Sequence, residues 1–380
     1  MAASRITVRF SDAALADLGH RLAHVRWPDE PPGASWEHGT SLAYLRTLVT
    51  YWREQYDWRA REALLNTFEH YTAPIQGIDL HFIHERGVGP APLPLLLLHG
   101  WPSSVFEFTK IIPLLTDPAR FGGHARDAFT VVAPSLPGYG LSYREGQPRL
   151  SLVQMATALV TLMGAVLDYQ PFVAHGGDWG AHILSRMGID HAACLQGLHL
   201  SMLVIEQRSA ATSGDALALR AASARWRSEE GGYALQQATR PQTLAYGLTD
   251  SPVGLAAWMI EKLRAWSDCH GDIERRFTKD ELLDTVMLYW LTNSINSSFW
   301  PYRARQLAGR TLASDERVRV PTAYAESPIA PIRWPRTVAQ DVYDIRRWTR
   351  LPAGGHFPAF EEPQALAADI REFFRPLRDA

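Results

Sequence analysis

Cysteine is almost absent from this chain, which has only two cysteines in 380 residues, Cys194 and Cys269. An extracellular domain held together by disulfides needs several pairs, and a metal site made of cysteine alone needs more than two thiolates. We therefore expect a protein of a reducing compartment, the cytoplasm, that has no cysteine-only metal centre.

Long apolar runs and an excess of one charge are also missing. The nearest approach to a membrane span, 152–167, contains Gln154 and two threonines and falls short of about 18 uninterrupted apolar residues. The first ten residues, MAASRITVRF, lack the basic and apolar regions of a secretory signal. With 38 basic and 40 acidic residues, the net charge of −2 provides no field to attract nucleic acid or an anionic membrane. We expect neither as a partner.

The abundant residues indicate a large globular core. Hydrophobic residues make up 46% of the chain, and 13 tryptophans are among them. The length exceeds the roughly 100 to 200 residues of an ordinary domain, so we expect one large core with additions, or two to three domains.

The N-terminal part predicts a helical extension followed by a strand. Leucine, valine and tryptophan recur at helical spacing within 41–57 and form one apolar stripe. The proline-rich segment 27–36 before this helix predicts an irregular arm that lies over a surface. Alternation with period two begins at Ile78, where we expect a half-buried strand.

Short apolar runs and helix-length segments alternate through the middle of the chain. Runs that are apolar on both faces indicate parallel strands covered by helices, as in an α/β fold. The strands are expected at 93–98, 129–133, 172–174 and 195–200, with helices at 105–115 and 152–167. Helical patterns then dominate 205–302, strand patterns return at 320–325 and 345–351, and a helix closes the chain at 363–374.

These changes of pattern divide the chain into four parts. An N-terminal arm and helical extension occupies 1–75, and the first part of the α/β core occupies 76–204. A helical cap is expected over 205–302, inserted into the sheet. The second part of the core occupies 303–380. The pattern thus predicts a lid and a brace around one interrupted sheet.

A glycine-rich turn between a predicted strand and a predicted helix carries Asp178. The segment 173–183 reads VAHGGDWGAHI, with small residues on both sides of the aspartate. A nucleophile elbow needs such residues, because its tight turn leaves no room for side chains beside the nucleophile. The alternative is a glycine-rich loop in which Asp178 only caps the following helix.

Two further segments supply the groups that a nucleophilic aspartate requires. The strand at 95–98 ends in His-Gly-Trp-Pro, and the amides of Trp101 and Trp179 could form an oxyanion hole if the two strand ends are neighbours. An ordinary tight turn is the alternative, and a cis Trp101-Pro102 bond is conceivable. His356, which follows a strand and two glycines late in the chain, occupies the position of a general base. The alternative for His356 is a surface or core histidine.

Motifs along nearly the whole chain resemble those of the α/β-hydrolase epoxide hydrolases of the microsomal type. The membrane anchor of the microsomal members has no counterpart here, and the resemblance implies no metal and no cofactor. The residues that carry the resemblance are the arm and helix at 27–61, HGWP at 99–102, APSLPGYGLS at 133–142, GGDWGAHI at 176–183, GGYALQQATRPQTLAYGLTDSPVGLAAW at 231–258, MLYW at 287–290 and GGHFPAFEEP at 354–363.

The resemblance implies a two-step hydrolysis of an epoxide to a vicinal diol. Asp178 would attack an epoxide carbon to form an ester, and water activated by His356 would hydrolyse that ester. Tyr233 and Tyr302 match the family's pair of ring-opening acids, since a phenol can donate to the developing alkoxide. Their alternative role is packing at an apolar boundary. Apolar cap residues (Leu255, Trp258 and Met259) suggest a hydrophobic epoxide, although they could equally be core.

The third member of the catalytic triad departs from the family pattern. The position of the acid that orients the histidine is Ala330, and a methyl group cannot hold an imidazolium. Loss of this acid in a comparable triad costs on the order of 10⁴ in rate. Glu326, at the end of the same predicted strand, is the nearest substitute, and Glu206 is another. A site without an acid also stays open.

Two other functions remain open at this point. A haloalkane dehalogenase uses the same aspartate chemistry, but it needs tryptophan or asparagine donors for the halide in place of the two tyrosines. A binding protein built on an impaired hydrolase is suggested by Ala330 alone. Catabolism, detoxification and secondary metabolism are equally open as roles. We expect an epoxide and water as partners, and a homodimer stays open.

Overall fold

Nine strands form one sheet in the computed structural model, which describes residues 2–205, 214–330 and 332–378. Across the sheet their order is β1-β2-β3-β5-β4-β6-β7-β8-β9. All pairings from β5 to β9 are parallel, and the pairings of β1 with β2, β2 with β3 and β3 with β5 are antiparallel. The strands are β1 (Ser4–Ile6), β2 (His70–Ile75), β3 (Ile78–Glu85), β4 (Leu93–Leu98), β5 (Phe129–Pro134), β6 (Phe172–Gly176), β7 (Leu195–Leu200), β8 (Val318–Glu326) and β9 (Tyr343–Arg350).

Helices cover both faces of the sheet and build a cap between β7 and β8. The α/β fold with a helical insertion, predicted from the sequence, is confirmed. In the described part of the chain the helices are α1 (Asp12–Ala23), α2 (Leu42–Glu54), α3 (Trp58–Leu65), α4 (Ile111–Thr116), α5 (Leu152–Thr161), α6 (Asp178–Asp190), α7 (Gly214–Glu229), α8 (Gly232–Thr239), α9 (Pro241–Asp250), α10 (Pro252–Trp266), α11 (Lys279–Thr292), α12 (Ile295–Ser298), α13 (Trp300–Ala308), α14 (Arg336–Val342), α15 (Pro358–Glu361) and α16 (Pro363–Phe374).

The central strands are apolar because both of their faces are covered. Every residue of β5 and β6 is buried, and the short runs that predicted these strands belong to the core. Burial of apolar surface contributes roughly 25 cal/mol per Å², so these strands anchor the sheet. The parallel arrangement follows from this double coverage. None of the helices in the described ranges combines the length and hydrophobicity of a membrane span.

The N-terminal extension is less purely helical than the sequence predicts. It contains α1, α2 and α3, but it also contributes β1 and β2 to the sheet. The expected boundary at residue 75 therefore falls inside the β2–β3 hairpin. The pattern of β2 was missed because the strand lies next to the edge of the sheet and buries only His70, Ala73 and Ile75.

The extension holds the cap through polar contacts with α11. The hydroxyl of Tyr51 donates to Asp280 at 2.7 Å, and the hydroxyl of Tyr56 donates to Asp284 at 2.9 Å. The guanidinium of Arg61 also donates to Asp284 at 2.9 Å. Burial raises the pKa of Asp284 to about 6, although Arg61 and Tyr56 oppose that rise. The extension is thus joined to α11 by hydrogen bonds and an ion pair.

One predicted helix is divided in two. The segment 105–115 forms a 3₁₀ helix, Val105–Phe108, and then α4, which carries Pro113 in its first turn. A proline is tolerated there, but it lacks an N–H and cannot continue a helix from the preceding turn. The division places Glu107 in a short helix directly after the His-Gly-Trp-Pro turn.

Candidate active site

Asp178 lies at a sharp turn where β6 ends and α6 begins. Its backbone is left-handed, with φ of +43°, which is uncommon for a residue with a side chain. A side chain at Gly180 would clash with the carbonyl of Leu98 in the neighbouring strand. A side chain at Gly177 would clash with Ser201, which follows β7. The neighbouring strands thus explain the glycines around Asp178, and the turn has the geometry of a nucleophile elbow.

The ends of β4 and β6 lie side by side, with Leu98 opposite Gly176. This pairing brings the His-Gly-Trp-Pro turn to the elbow, and the N–H of Trp101 donates to Oδ1 of Asp178 at 2.8 Å. A Cβ at Gly100 would overlap the Asp178 side chain, which explains the glycine. The Trp101-Pro102 peptide bond is cis.

His356 reaches the other oxygen of the same carboxylate. Its Nε2 lies 3.3 Å from Oδ2 of Asp178. Burial by itself raises the pKa of Asp178, but His356 and the amides of Trp101 and Trp179 lower it by more, so the pKa lies below its ordinary value. The carboxylate is consequently ionised at neutral pH, with one oxygen held by an N–H and the other facing a base.

The loop of His356 is held by Glu361, which the sequence analysis did not single out. The N–H groups of Gly355 and Phe357, on either side of His356, donate to the Glu361 carboxylate at 3.0 Å. The N–H of His356 itself donates to the carbonyl of Trp266 at 2.8 Å. The signal in the sequence that could have identified Glu361 is its place next to the apolar run 357–360, directly after His356.

Tyr233 of α8 and Tyr302 of α13 lie above the carboxylate. The ring of Tyr233 stacks on Trp101 with centroids 5.3 Å apart, and the ring of Tyr302 meets Trp179 edge-on at 4.6 Å. Burial, together with the negative charge of Asp178, raises the pKa of both phenols. Both phenols therefore stay protonated at neutral pH. The Tyr302 hydroxyl makes no hydrogen bond to another described residue.

A cavity of about 330 Å³ lies between the cap and these side chains. Asp178, His356 and the two tyrosines contribute to its lining, and most of the other lining residues are apolar. The cap residues named in the sequence analysis (Leu255, Trp258 and Met259) are not among its lining residues, and Leu255 and Met259 are buried in the core. The apolar lining residues include Met202, Leu203, Val204, Ile205, Trp226 and Trp334.

The orienting acid is the part of the site that the sequence left open. Ala330 lines the cavity. The carboxylate of Glu326 is buried, but its Oε2 accepts from Trp348 Nε1 at 3.2 Å and from Arg350 Nε at 3.0 Å. Glu326 makes no hydrogen bond or ion pair with His356 in the described part of the chain, so its role stays a prediction. Glu206 lies outside the described residues.

Comparison with known proteins agrees with this geometry. A family model described as the epoxide hydrolase N terminus matches residues 3–108, and the alpha/beta hydrolase family model matches residues 95–369. The chain belongs to the epoxide hydrolase family. A Stigmatella aurantiaca relative is 42% identical over 374 residues, which cover 96% of this chain and 83% of that protein. Epoxide hydrolase 1 of Oryctolagus cuniculus is 36% identical, over 96% of this chain and 87% of its own.

Solved structures of the epoxide hydrolase family match the complete fold, including the extension and the cap. Juvenile hormone epoxide hydrolase from the silkworm Bombyx mori superposes with a TM-score of 0.88 and is 31% identical, covering 99% of this chain and 95% of that chain. An epoxide hydrolase of Aspergillus niger gives a TM-score of 0.84 at 26% identity, over 99% of this chain and 97% of its own. Both the hydrolase class and the α/β-hydrolase fold predicted from the sequence are confirmed.

Proposed function

We propose that this member of the epoxide hydrolase family converts a hydrophobic epoxide to a vicinal diol through an ester on Asp178. The observation that carries the proposal is that Trp101 and His356 contact the two different oxygens of the Asp178 carboxylate. Trp101 N–H binds Oδ1 at 2.8 Å, and His356 Nε2 lies 3.3 Å from Oδ2. The buried phenols of Tyr233 and Tyr302 face the same cavity.

In the first step, Oδ2 of Asp178 attacks a carbon of the epoxide ring. The new C–O bond forms the ester while the ring C–O bond breaks. The oxygen that leaves the carbon takes a proton from one of the two tyrosines and becomes the first hydroxyl group. Since both phenols are protonated at neutral pH, either of them can donate its proton to the ring oxygen without first taking up a proton from solvent.

In the second step, His356 removes a proton from water, and the water oxygen attacks Cγ of the Asp178 ester. Negative charge develops on Oδ1, which the Trp101 amide already contacts and the neighbouring Trp179 amide supports. The bond between Cγ and the ester oxygen breaks, and that oxygen takes the second proton of the attacking water to become the second hydroxyl group. The diol then leaves, and Asp178 is again a carboxylate. The proton held by His356 then restores the tyrosine, so epoxide and water account for all atoms of the product.

The cavity supports a small hydrophobic substrate. Its volume of about 330 Å³ is at the lower end of ligand pockets, which span roughly 300 to 1,000 Å³. Polar groups are concentrated at the reacting centre, and the remaining walls are mainly apolar.

The cytoplasm as the compartment rests on the scarcity of cysteine, since Cys194 and Cys269 are both free thiols.

A second candidate function, dehalogenation, is favoured by one observation. The indole N–H of Trp179, which lines the cavity, has no hydrogen-bond partner among the described residues and could bind a halide. The two tyrosines above Asp178 favour the epoxide instead, because a halide leaves without a proton. Release of bromide from a bromoalkane at a rate comparable to diol formation would establish the second function.

A single-turnover experiment tests the ester. Excess enzyme is mixed with styrene oxide in H₂¹⁸O, and intact mass and diol are followed by rapid quench. We expect a transient adduct on Asp178, first-turnover diol without ¹⁸O, and label in the enzyme, because the water oxygen enters the carboxylate. Diol that carries ¹⁸O in the first turnover would show direct attack by water. Neither adduct nor diol would contradict the proposed function, and an adduct that persists would indicate an impaired hydrolase.

The tyrosines are expected to act in the first step. Tyr233→Phe and Tyr302→Phe should each slow ester formation about 10- to 100-fold, with a larger loss in the double variant, because general acids contribute about 10² to 10⁴. Rapid-quench measurement of the adduct gives this rate. Tyr246→Phe, on the exposed face of α9, is the matched control and should behave as the unaltered enzyme. Ester formation at full rate in the double variant would remove both tyrosines from the mechanism.

A further inference from the structure

Glu107 is a buried carboxylate next to the catalytic pair that the two-step scheme does not use. It lies in the 3₁₀ helix Val105–Phe108, which follows the turn that carries Trp101. This short helix packs against α15, the helix that begins directly after the His356 loop. The packing brings Glu107 to the side of the catalytic pair that the substrate cavity does not reach, since Glu107 is not among that cavity's lining residues.

A second, much smaller cavity lies between Glu107 and the catalytic pair. Its volume is about 10 Å³, and its lining includes Glu107, Ser103, Asp178 and His356. A space of this size is close to the minimum for one water molecule, which needs two to four polar partners. The lining offers a carboxylate, a hydroxyl group and an imidazole.

Asp178 and His356 line both cavities. The substrate cavity approaches them from the cap, and the small cavity approaches them from the His-Gly-Trp-Pro turn and the 3₁₀ helix. This arrangement separates the hydrophobic epoxide from a site for water. A water molecule in the small cavity would be beside His356 when the ester forms on Asp178.

The charges around Glu107 are compatible with such a site. Burial raises the pKa of Glu107 to about 7, and the Ser103 hydroxyl and the charge of His356 oppose this rise. Asp178 and Glu361 also raise it. Asp178 and His356 thus both interact electrostatically with the Glu107 carboxylate. The Glu326 carboxylate instead accepts hydrogen bonds from Trp348 and Arg350.

We propose that Glu107 is a positioning residue that holds the hydrolytic water beside His356 in the small cavity. One O–H of the water donates to the Glu107 carboxylate, and the other proton passes to His356 as the water oxygen attacks Cγ of the ester. No proton is transferred to Glu107. This role rests on the proposed function, and it gives the site a carboxylate even though the family position of the acid is Ala330.

The role predicts a defect confined to the second step. Glu107→Gln keeps the shape of the side chain but weakens its acceptor, so ester decay should slow about 10- to 100-fold, the scale of a buried hydrogen bond to a charged group. Ester formation should keep its rate, because Glu107 does not contact the substrate cavity. In steady state, kcat and KM should then fall together while kcat/KM stays nearly constant. A purely structural defect would lower kcat/KM instead.

The experiment measures ester formation and ester decay separately with styrene oxide, by rapid quench and intact mass. Glu62→Gln is the matched control, because Glu62 is also buried, at 3% against 9% for Glu107, but lines neither cavity. Accumulation of the ester in Glu107→Gln, but not in Glu62→Gln, supports the proposal. Glu107→Asp withdraws the carboxylate by one methylene and should give a smaller delay, which supports the proposal independently.

Two results would overturn this inference while leaving the proposed function intact. One is ester decay at the normal rate in Glu107→Gln, and the other is slow decay in Glu326→Gln alone, which would make Glu326 the working acid. If the unaltered enzyme forms neither ester nor diol, the proposed function fails first, so the two failures can be told apart.

Discussion

Replacing Asp178 with asparagine is expected to abolish the covalent ester and to lower diol formation by about 10⁴-fold or more, the scale on which triad nucleophiles act. An amide oxygen is a poor nucleophile toward an epoxide carbon. Asparagine has the shape of aspartate and tolerates a left-handed backbone, so the turn at φ of +43° should survive. The loss therefore reports chemistry rather than folding.

The measurement is intact mass after incubation with styrene oxide, together with the diol yield and the melting temperature. Asp168→Asn is the matched control, since Asp168 is exposed and also has a left-handed backbone, with φ of +58°. The control should retain full activity. Ester formation in Asp178→Asn, or more than about one hundredth of the normal turnover, would exclude Asp178 as the nucleophile.

Replacing His356 with glutamine should have an effect of similar size by a different route. The first step needs no base, so Asp178 should still be alkylated, but the ester should decay about 10⁴-fold more slowly. One equivalent of adduct then accumulates, and turnover stops. His356 helps to lower the pKa of Asp178, so its loss raises that pKa and favours protonation of the nucleophile as pH falls. We therefore place the experiment at about pH 8, where the carboxylate stays ionised.

The readout is the ratio of adduct to enzyme with time, followed by diol release after excess epoxide is removed. His270→Gln, at an exposed position after α10, is the matched control and should turn over normally. Repeated turnover in His356→Gln at more than a few hundredths of the normal rate would show that another group activates water. Compared with Glu107→Gln, the histidine variant should hold the ester much longer.

Much of the fold follows from local pattern. The sequence predicted β4, β5, β6 and α2 correctly, because the pattern of apolar residues in each of these elements matches the residues that are buried. The strand β2 was missed because a strand near the edge of a sheet displays little burial. The division between the 3₁₀ helix Val105–Phe108 and α4 was missed because the apolar pattern continues across it, whereas Pro113 lacks the N–H that a continuous helix would need.

The reacting centre was also accessible from the sequence, because its parts are tied to turns. Asp178, Trp101 and His356 follow strands in glycine-containing segments, and the parallel sheet brings such strand ends to one edge. The structure places Trp101 within hydrogen-bonding distance and His356 within ion-pair distance of the Asp178 carboxylate, and the catalytic roles of the three residues remain proposals. Tyr233 and Tyr302 were found only through the family motif, since helical tyrosines have no distinguishing local pattern.

The sequence by itself predicted a nucleophile segment, an oxyanion turn, a histidine loop and the absence of the family's acid at Ala330. Only the tertiary structure decided which carboxylates approach His356. Glu326 is close to Ala330 in the chain, but its side chain is bound by Trp348 and Arg350. Glu107 is far from both in the chain, yet the packing of its short helix on α15 brings it to the small cavity that Asp178 and His356 also line. Residues that are close in the chain share the same stretch of backbone, but their side chains can point to different partners. Which carboxylate lies near a given side chain therefore depends on the packing of segments that are distant in the chain.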